Sequence, residues 1–300
     1  MLSPAKAAKP GLYKVKLTMV KNGKTYTTQE QYQWGLVSVN TQKSIYRPGE
    51  TANFIIAVLD NGGQSVCNAN IVMRITDPLG ISTKLTSGRG ITPELQCGLY
   101  DAQYTTDSAG NYTVNIKAQN PSGVAYFDTS FVAQNSYPFD ITRTAASKID
   151  PIDNPNSFNV QLDFGSYTNA TQVSIQESVP SSFNVTTNGA VQTVGDSKIL
   201  TWNKDLIENK TSVQYTYSVP LQYPQLYALG PAQITYGNGQ TFTEARPWFV
   251  AVDPSREISV NSGTATTSPL NFAITVPSSA TTHGGSGKRD SRQCQFNFWN

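Results

Sequence analysis

The chain has 300 residues, room for two or three cores at about 100 to 150 residues each, and hydrophobic residues at 38% can fill them. Charged residues are only 14% and the net charge is +2, against roughly 25% charged in a typical soluble domain. Such a balance creates no strong field, so it calls for neither a nucleic-acid partner nor an anionic membrane; Ser, Thr, Asn and Gln carry the solubility, a mix that suits proteins of the cell exterior.

Met1 to Pro10 has lysines with no apolar core of about seven residues behind them, so it does not read as a complete secretory signal. No apolar run reaches the roughly 18 residues of a spanning helix, and direct membrane insertion is not expected. The chain reads as a fragment of a longer, exported protein whose signal and anchor lie elsewhere.

Tyr13, Val15, Leu17 and Met19 alternate with polar residues up to Asn22-Gly23, and Thr25-Tyr26-Thr27 leads away. Alternation ending in Asn-Gly predicts a hairpin. Two or three strands cannot close a sandwich, so residues 1–39 read as the C-terminal remnant of an incomplete β-sandwich, with Trp34 at the junction to the next domain. From 40 to 134 the pattern is regular. Phe54, Ile56 and Val58 share one face, Ile71, Met73 and Ile75 another, and Tyr112, Val114, Ile116 and Ala118 a third, with Asp60-Asn61-Gly62-Gly63, Asp77-Pro78-Leu79-Gly80 and Asn120-Pro121-Ser122-Gly123 as turns. Short period-2 strands with turn signals every eight to twelve residues or so predict a sandwich.

The polar, proline-bearing stretch Gln134 to Asp140 reads as a boundary, an exposed linker open to early proteolysis. A second complete β-sandwich is then predicted over 135–253, from strands around Phe158 to Phe164, Val173/Ile175, Phe183/Val185, Ile199 to Trp202, Val213 to Val219 and Trp248 to Val252, with a short irregular turn or helix at Gln225 to Leu229. Residues 254–277 carry two strand candidates and read as the start of a truncated β domain. Residues 278–300, rich in Gly, Ser and Thr, read as a disordered tail. The fold class is therefore all-β, tandem immunoglobulin-like β-sandwiches.

The order Lys43-Ser44-Ile45-Tyr46-Arg47-Pro48-Gly49-Glu50, the apolar run Phe54 to Leu59, Asp60-Asn61-Gly62-Gly63, Asp77-Pro78-Leu79-Gly80 and Gly110-Asn111-Tyr112-Thr113-Val114 resembles the second macroglobulin-type (MG2) domain, an immunoglobulin-like sandwich. A longer series is similar to large repetitive surface proteins of candidate-phylum bacteria. It runs through Trp34-Gly35, Pro138-Phe139-Asp140, Glu177 to Phe183, Leu229-Gly230-Pro231 and Glu244 to Trp248. The resemblance implies location and architecture more than mechanism. Macroglobulins trap proteases through a Cys-Gly-Glu-Gln thioester, whereas Cys67 is followed by Asn-Ala-Asn and Cys97 by Gly-Leu-Tyr; protease trapping does not carry over.

Chemistry is sparse. The single histidine, His283, lies in the Gly/Ser/Thr tail, which removes Ser-His-Asp and Cys-His catalysis and a His-rich zinc site. Asp60, Asp77, Asp101 and Asp107 sit beside turn formers and read as turn chemistry rather than a glycosidase pair, with Asp107 to Asn111 as a hairpin loop. Asp150, Asp153 and Asn154 offer oxygen ligands for calcium near a domain start, against a stiff polar linker. Tyr223 and Tyr227 are the candidate exposed ligand contacts, while Tyr112 and Tyr215 read as core. Lys14, Lys16, Lys21 and Lys24 read as a solvated hairpin face. Sequons stand at Asn111, Asn169, Asn184 and Asn209. Cys67 and Cys97 lie in connections of one sandwich that could meet at one end and are expected to form a bridge in an oxidising compartment, against two unpaired thiols, and Cys294 stays unpaired.

No cofactor and no catalytic residue is expected. The function expected is a structural or stalk module of an extracellular or cell-surface protein, in adhesion or cell-envelope assembly; the alternative is a carbohydrate-binding appendage of a secreted enzyme. Expected partners are neighbouring domains of the same longer chain and surface glycans or cell-envelope proteins.

Overall fold

The computed structural model describes residues 7–8, 11–21, 24–34, 36–60, 63–121, 123–152, 157–221 and 225–253, with side chains from 36 onward. The protein is all-β. Strand β1 (Ala7–Ala8) precedes a ribbon of β2 (Gly11–Lys21) and β3 (Lys24–Trp34), paired in register from Gly11↔Trp34 to Lys21↔Lys24. This is the hairpin that the Asn-Gly signal predicts. The calls on Tyr223, Asp153, Asn154, His283, Cys294 and residues 254–300 lie outside the described residues.

The first sandwich comprises β4 (Leu36–Thr41), β5 (Ile45–Tyr46), β6 (Thr51–Leu59), β7 (Asn70–Thr76), β8 (Ser82–Ser87), β9 (Gly90–Pro93), β10 (Leu99–Thr105), β11 (Gly110–Asn120) and β12 (Gly123–Ala133). They run β4-β6-β10-β9-β8-β7-β11-β12-β5 in one continuous sheet that folds over on itself. Phe54 of β6 thereby meets Phe131 of β12 edge-on at 5.7 Å, and Tyr112 of β11 stacks on Phe131 at 4.9 Å. The expected faces are all inward: Phe54, Ile56, Val58, Ile71, Met73, Ile75, Tyr112, Val114, Ile116 and Ala118 are buried.

Two expectations need correction. The boundary at residue 40 falls inside β4, which pairs with β6 from Leu36↔Leu59 to Thr41↔Phe54; Val37 and Val39 are core side chains of this sandwich, so it begins at 36. The Asp107 to Asn111 loop does not close a hairpin, because β10 pairs with β6 and β9 while β11 pairs with β7 and β12. It crosses between layers, pinned by the Tyr112 hydroxyl, which accepts from the amides of Asp107 (3.1 Å) and Ser108 (3.0 Å) and donates to the Ser108 carbonyl (2.8 Å).

The second sandwich holds β13 (Phe139–Ala145), β14 (Lys148–Ile149), β15 (Phe158–Ser166), β16 (Gln172–Pro180), β17 (Asn184–Thr187), β18 (Ala190–Val194), β19 (Ser197–Asp205), β20 (Lys210–Ser218), β21 (Gln225–Leu229), β22 (Gln233–Tyr236), β23 (Gln240–Thr243) and β24 (Trp248–Val252). Its sheets are ordered β13-β15-β20-β17, β18-β19-β16-β22-β23 and β1-β21-β24-β14. Gln225 to Leu229, expected as an irregular turn or helix, is a strand: Gln225, Tyr227 and Leu229 point inward in alternation, and β24 supplies the ladder from Gln225↔Val252 to Leu229↔Trp248. Asp101, expected at a turn, lies mid-strand in β10 opposite Ile55.

One polar cluster sits within this second core. Arg143 donates to Glu177 through both guanidinium nitrogens (2.6 and 3.0 Å) and to Glu244 (2.6 Å), while the Tyr215 hydroxyl donates to Glu177 at 3.0 Å and the Ala232 amide to Glu244 at 2.7 Å. Burial pushes the Glu177 carboxyl up against the opposing pull of Arg143. Such a charge cluster persists only because nearly every donor and acceptor in it is matched.

Candidate functional site

A strand with one wet face alternates, whereas a strand covered on both faces is apolar throughout. Phe54 to Leu59 and Trp248 to Val252 are of the second kind, and Leu36-Val37-Ser38-Val39 is buried throughout with a single serine among its apolar residues. Phe54, Ile56 and Val58 fill the first core. The opposite face of β6, with Ala57 and Leu59, joins Leu36, Leu99 and Ala251 in a separate cluster, flanked by Ile55 and Leu226. Since Ala251 and Leu226 belong to the second sandwich, the two sandwiches are packed face to face along β4 and β6.

Polar side chains fix the register of this junction. Asn40 is fully buried and reads both backbone groups of Phe249: its Oδ1 accepts from the Phe249 amide (2.8 Å) and its Nδ2 donates to the Phe249 carbonyl (2.6 Å) and to Ser147 Oγ (3.0 Å). The Ser44 hydroxyl accepts from the Ala245 amide at 2.8 Å, and the Arg143 amide donates to the Gln42 carbonyl at 2.9 Å. Arg246 reaches back to the Thr41 hydroxyl and carbonyl. Desolvation pulls the Arg246 guanidinium down to about 10. Phe127 and Phe249 meet edge-on at 5.0 Å beside it.

Each end of the contact has its own latch. At one, Lys43 bridges Glu50 (2.9 Å) of its own sandwich and Asp140 (3.1 Å) of the other, and the Arg47 guanidinium lies 4.4 Å from the Tyr167 ring centre and 5.4 Å from that of Tyr137. Burial alone would lower the Lys43 ammonium, but its hydrogen bonds to Glu50 and Asp140 outweigh this and hold it above its ordinary range. At the other end, Lys148 donates to Ser65 Oγ and to the Cys97 carbonyl, both at 2.6 Å, and lies 3.4 Å from Asp253. The Ser65 hydroxyl in turn donates to Asp253. Cys67 and Cys97 are joined in a disulfide, Cα to Cα 4.5 Å.

The boundary stretch is consequently no open linker. Tyr137, Phe139 and Ile141 are buried, the Gln134 amide donates to the Tyr46 carbonyl and the Tyr167 amide to that of Pro138. Early cleavage there is not what this packing predicts.

The other candidate residues scatter. Tyr227, expected as an exposed ligand contact, is 3% exposed and packs edge-on against Phe183 at 4.8 Å; its inward place in β21 removes it from any surface site. The Asp150 carboxylate accepts from the Ile152 amide at 2.8 Å, an Asx turn that uses one of its oxygens. Among the described residues no group of three His, Cys, Asp or Glu side chains converges as a metal site. Asp77 accepts from the amides of Leu79 and Ile81, and Asp60 from that of Gln64, the turn roles expected of them. Asn111, Asn169, Asn184 and Asn209 are all exposed.

No family model matches the chain, and no curated protein matches it. Among solved structures it is similar to structures of bacterial alpha-2-macroglobulins. Trypsin-activated Escherichia coli alpha-2-macroglobulin aligns at TM-score 0.30 and 16% identity, over 80% of this chain and 18% of that one. The E. coli protein in its native conformation aligns at TM-score 0.28 and 13% identity, over 82% and 18%, and a Salmonella alpha-2-macroglobulin mutant at 0.28 and 15%, over 82% and 19%. The chain spans less than a fifth of the length of these proteins. No helix among the described residues is long and apolar enough to cross a membrane.

Sequence reasoning missed Asn40, Lys148, Arg246 and the Arg47–Tyr167 contact. Their residue types are ordinary and their partners lie between 51 and 209 positions away. The usable signal was the unbroken apolar run in β6, which a strand of a solitary sandwich with one wet face does not need.

Proposed function

We propose that the chain is a non-catalytic structural module of an extracellular or cell-surface protein, serving adhesion or cell-envelope assembly by holding neighbouring parts of a longer chain at a fixed relative orientation. The observation that carries this reading is the junction. A tether needs only a linker, whereas this contact buries apolar side chains from both sandwiches, an asparagine that reads both backbone groups of one partner residue, and a latch at each end. Buried polar groups matched across a contact, as Asn40 is by Phe249, specify one arrangement rather than add bulk affinity. The residue order around Lys43 to Val114 that resembles the MG2 domain supports an extracellular, macroglobulin-type setting. The carbohydrate-binding alternative rested on Tyr223 and Tyr227, and the burial of Tyr227 takes away its described half.

Small-angle scattering of the intact chain tests the proposal. The two sandwiches are expected to scatter as one rigid body, with a single arrangement fitting the profile; a profile that requires an ensemble of separated sandwiches would overturn it.

A further inference from the structure

The disulfide stands outside the core it would ordinarily be thought to staple. Neither cysteine belongs to the apolar cluster of the first sandwich, and Cys67 is exposed. What the bond does hold together is two connections, the turn after Ser65 and the loop before β10. These two supply one side of the socket for Lys148, with Ser65 Oγ and the Cys97 carbonyl each 2.6 Å from its ammonium. Gly98 lets the second loop close on the first: at φ +82 it adopts a backbone that side chains rarely take, and a Cβ there would meet Ser65 Oγ at 2.8 Å. The rest of the socket comes from Asp253, which is 3% exposed and bonded to Ser65.

We propose that the Cys67–Cys97 bond is a redox-sensitive clamp on the junction, so that reduction releases Lys148 and loosens this end of the contact while both sandwiches stay folded. The chemistry needs an external dithiol. One thiolate attacks a cysteine sulfur, the other cysteine leaves as thiolate and takes a proton, and the second thiolate then displaces the mixed disulfide, giving two cysteine thiols and an oxidised, cyclic reductant. An exposed disulfide is open to that attack. Once the connections part, the ammonium loses its two neutral acceptors. A buried ammonium so deprived is held only by Asp253 and is driven towards water. The strand ladders of the first sandwich do not pass through either cysteine, which is why the effect is local.

This inference rests on the rigid junction proposed above, and the test separates the two. Lysine labelling of the intact chain with a small acylating reagent, read by peptide mass spectrometry, follows Lys148 against exposed Lys84, with near-UV circular dichroism reporting the folded state. In the oxidised chain Lys148 is expected to label at least about tenfold more slowly than Lys84, and dithiothreitol is expected to raise its rate about tenfold with the circular dichroism unchanged. The Cys67→Ser/Cys97→Ser double variant should label like the reduced chain without reductant. Ser65→Ala, which keeps the bond and removes one acceptor, should raise Lys148 labelling by a smaller factor. Slow Lys148 labelling in reduced, folded protein overturns the clamp, and so does loss of the near-UV signal on reduction, since the bond would then hold the sandwich and not the junction. A scattering profile of separated sandwiches in the oxidised chain would instead count against the rigid junction.

Discussion

Asn40→Ala is the sharpest single test of the junction. The side chain is fully buried and makes three hydrogen bonds, accepting from the Phe249 amide and donating to the Phe249 carbonyl and to Ser147 Oγ. A typical intramolecular hydrogen bond contributes about 1 kcal/mol net, but a buried group stranded without a partner costs about 1–3 kcal/mol. Ser147 can rotate its hydroxyl, whereas the backbone groups of Phe249 cannot move out of a packed strand. The two stranded groups therefore set the loss at about 2 to 4 kcal/mol. With a conversion of about 2–4 °C per kcal/mol for a unit of this size, the melting temperature should fall by roughly 4 to 16 °C. Asn40→Asp makes the argument specific to polarity. It keeps an acceptor for the Phe249 amide but sets a carboxylate against the Phe249 carbonyl, so it should cost at least as much as alanine at neutral pH. Its folded-state pKa would be raised, so part of the loss returns as the pH drops and the acid becomes a donor. Calorimetry of the wild type and both variants, from pH 5 to 8 or so, is the assay. The reasoning fails if Asn40→Ala shifts the melting temperature by less than about 2 °C or if Asn40→Asp is the more stable of the two at neutral pH.

Other expectations follow from the same contacts. Glu177→Ala removes the carboxylate that holds Arg143 bidentately and should destabilise the second sandwich by about 3–5 kcal/mol in urea unfolding, while Tyr215→Phe, which deletes one donor to Glu177, should cost about 1–2 kcal/mol. Glu50 feels a desolvation that raises its pKa, but the Arg47 amide and Lys43 outweigh it and hold the carboxyl below its ordinary 4.5. A depressed acid stabilises above its unfolded pKa and loses that contribution as pH falls through the folded value, so the gap in melting temperature between wild type and Glu50→Gln should be present at pH 6 or so and close below about pH 4. Limited proteolysis should spare Gln134 to Thr142 in the wild type, because Tyr137, Phe139 and Ile141 are buried there; early cuts in that stretch would contradict the packing described.

Much of the architecture was legible because it is written in local chemistry. Alternation at Ile71, Met73 and Ile75, or at Tyr112, Val114 and Ile116, sends one face inward in any sheet. Asp77-Pro78-Leu79-Gly80 turns because an aspartate oxygen can take the amides of Leu79 and Ile81. Tyr227 was misread for a related reason. Its neighbours include Pro224 and Gln225, which look like a loop, and only the ladder with β24 makes that stretch a strand with the tyrosine inside. The boundary at Asn40 failed because the residues of β4 pair with residues 13 to 23 positions further on, from Thr41↔Phe54 to Leu36↔Leu59, which no local window reports.

By itself, then, the sequence determined what two-residue periodicity and turn residues can encode: an all-β fold class, and the inward faces of strands such as Ile71 to Ile75 and Tyr112 to Ala118. The tertiary structure decided where the second face of β6 goes, that Asn40 meets Phe249 and Lys148 meets Ser65 and Cys97, and that Arg143 is neutralised by Glu177 and Glu244. Those pairings join residues up to 209 positions apart. They arise because burying an apolar face brings unrelated strands together, and a buried polar group must then be matched by whatever that packing sets beside it.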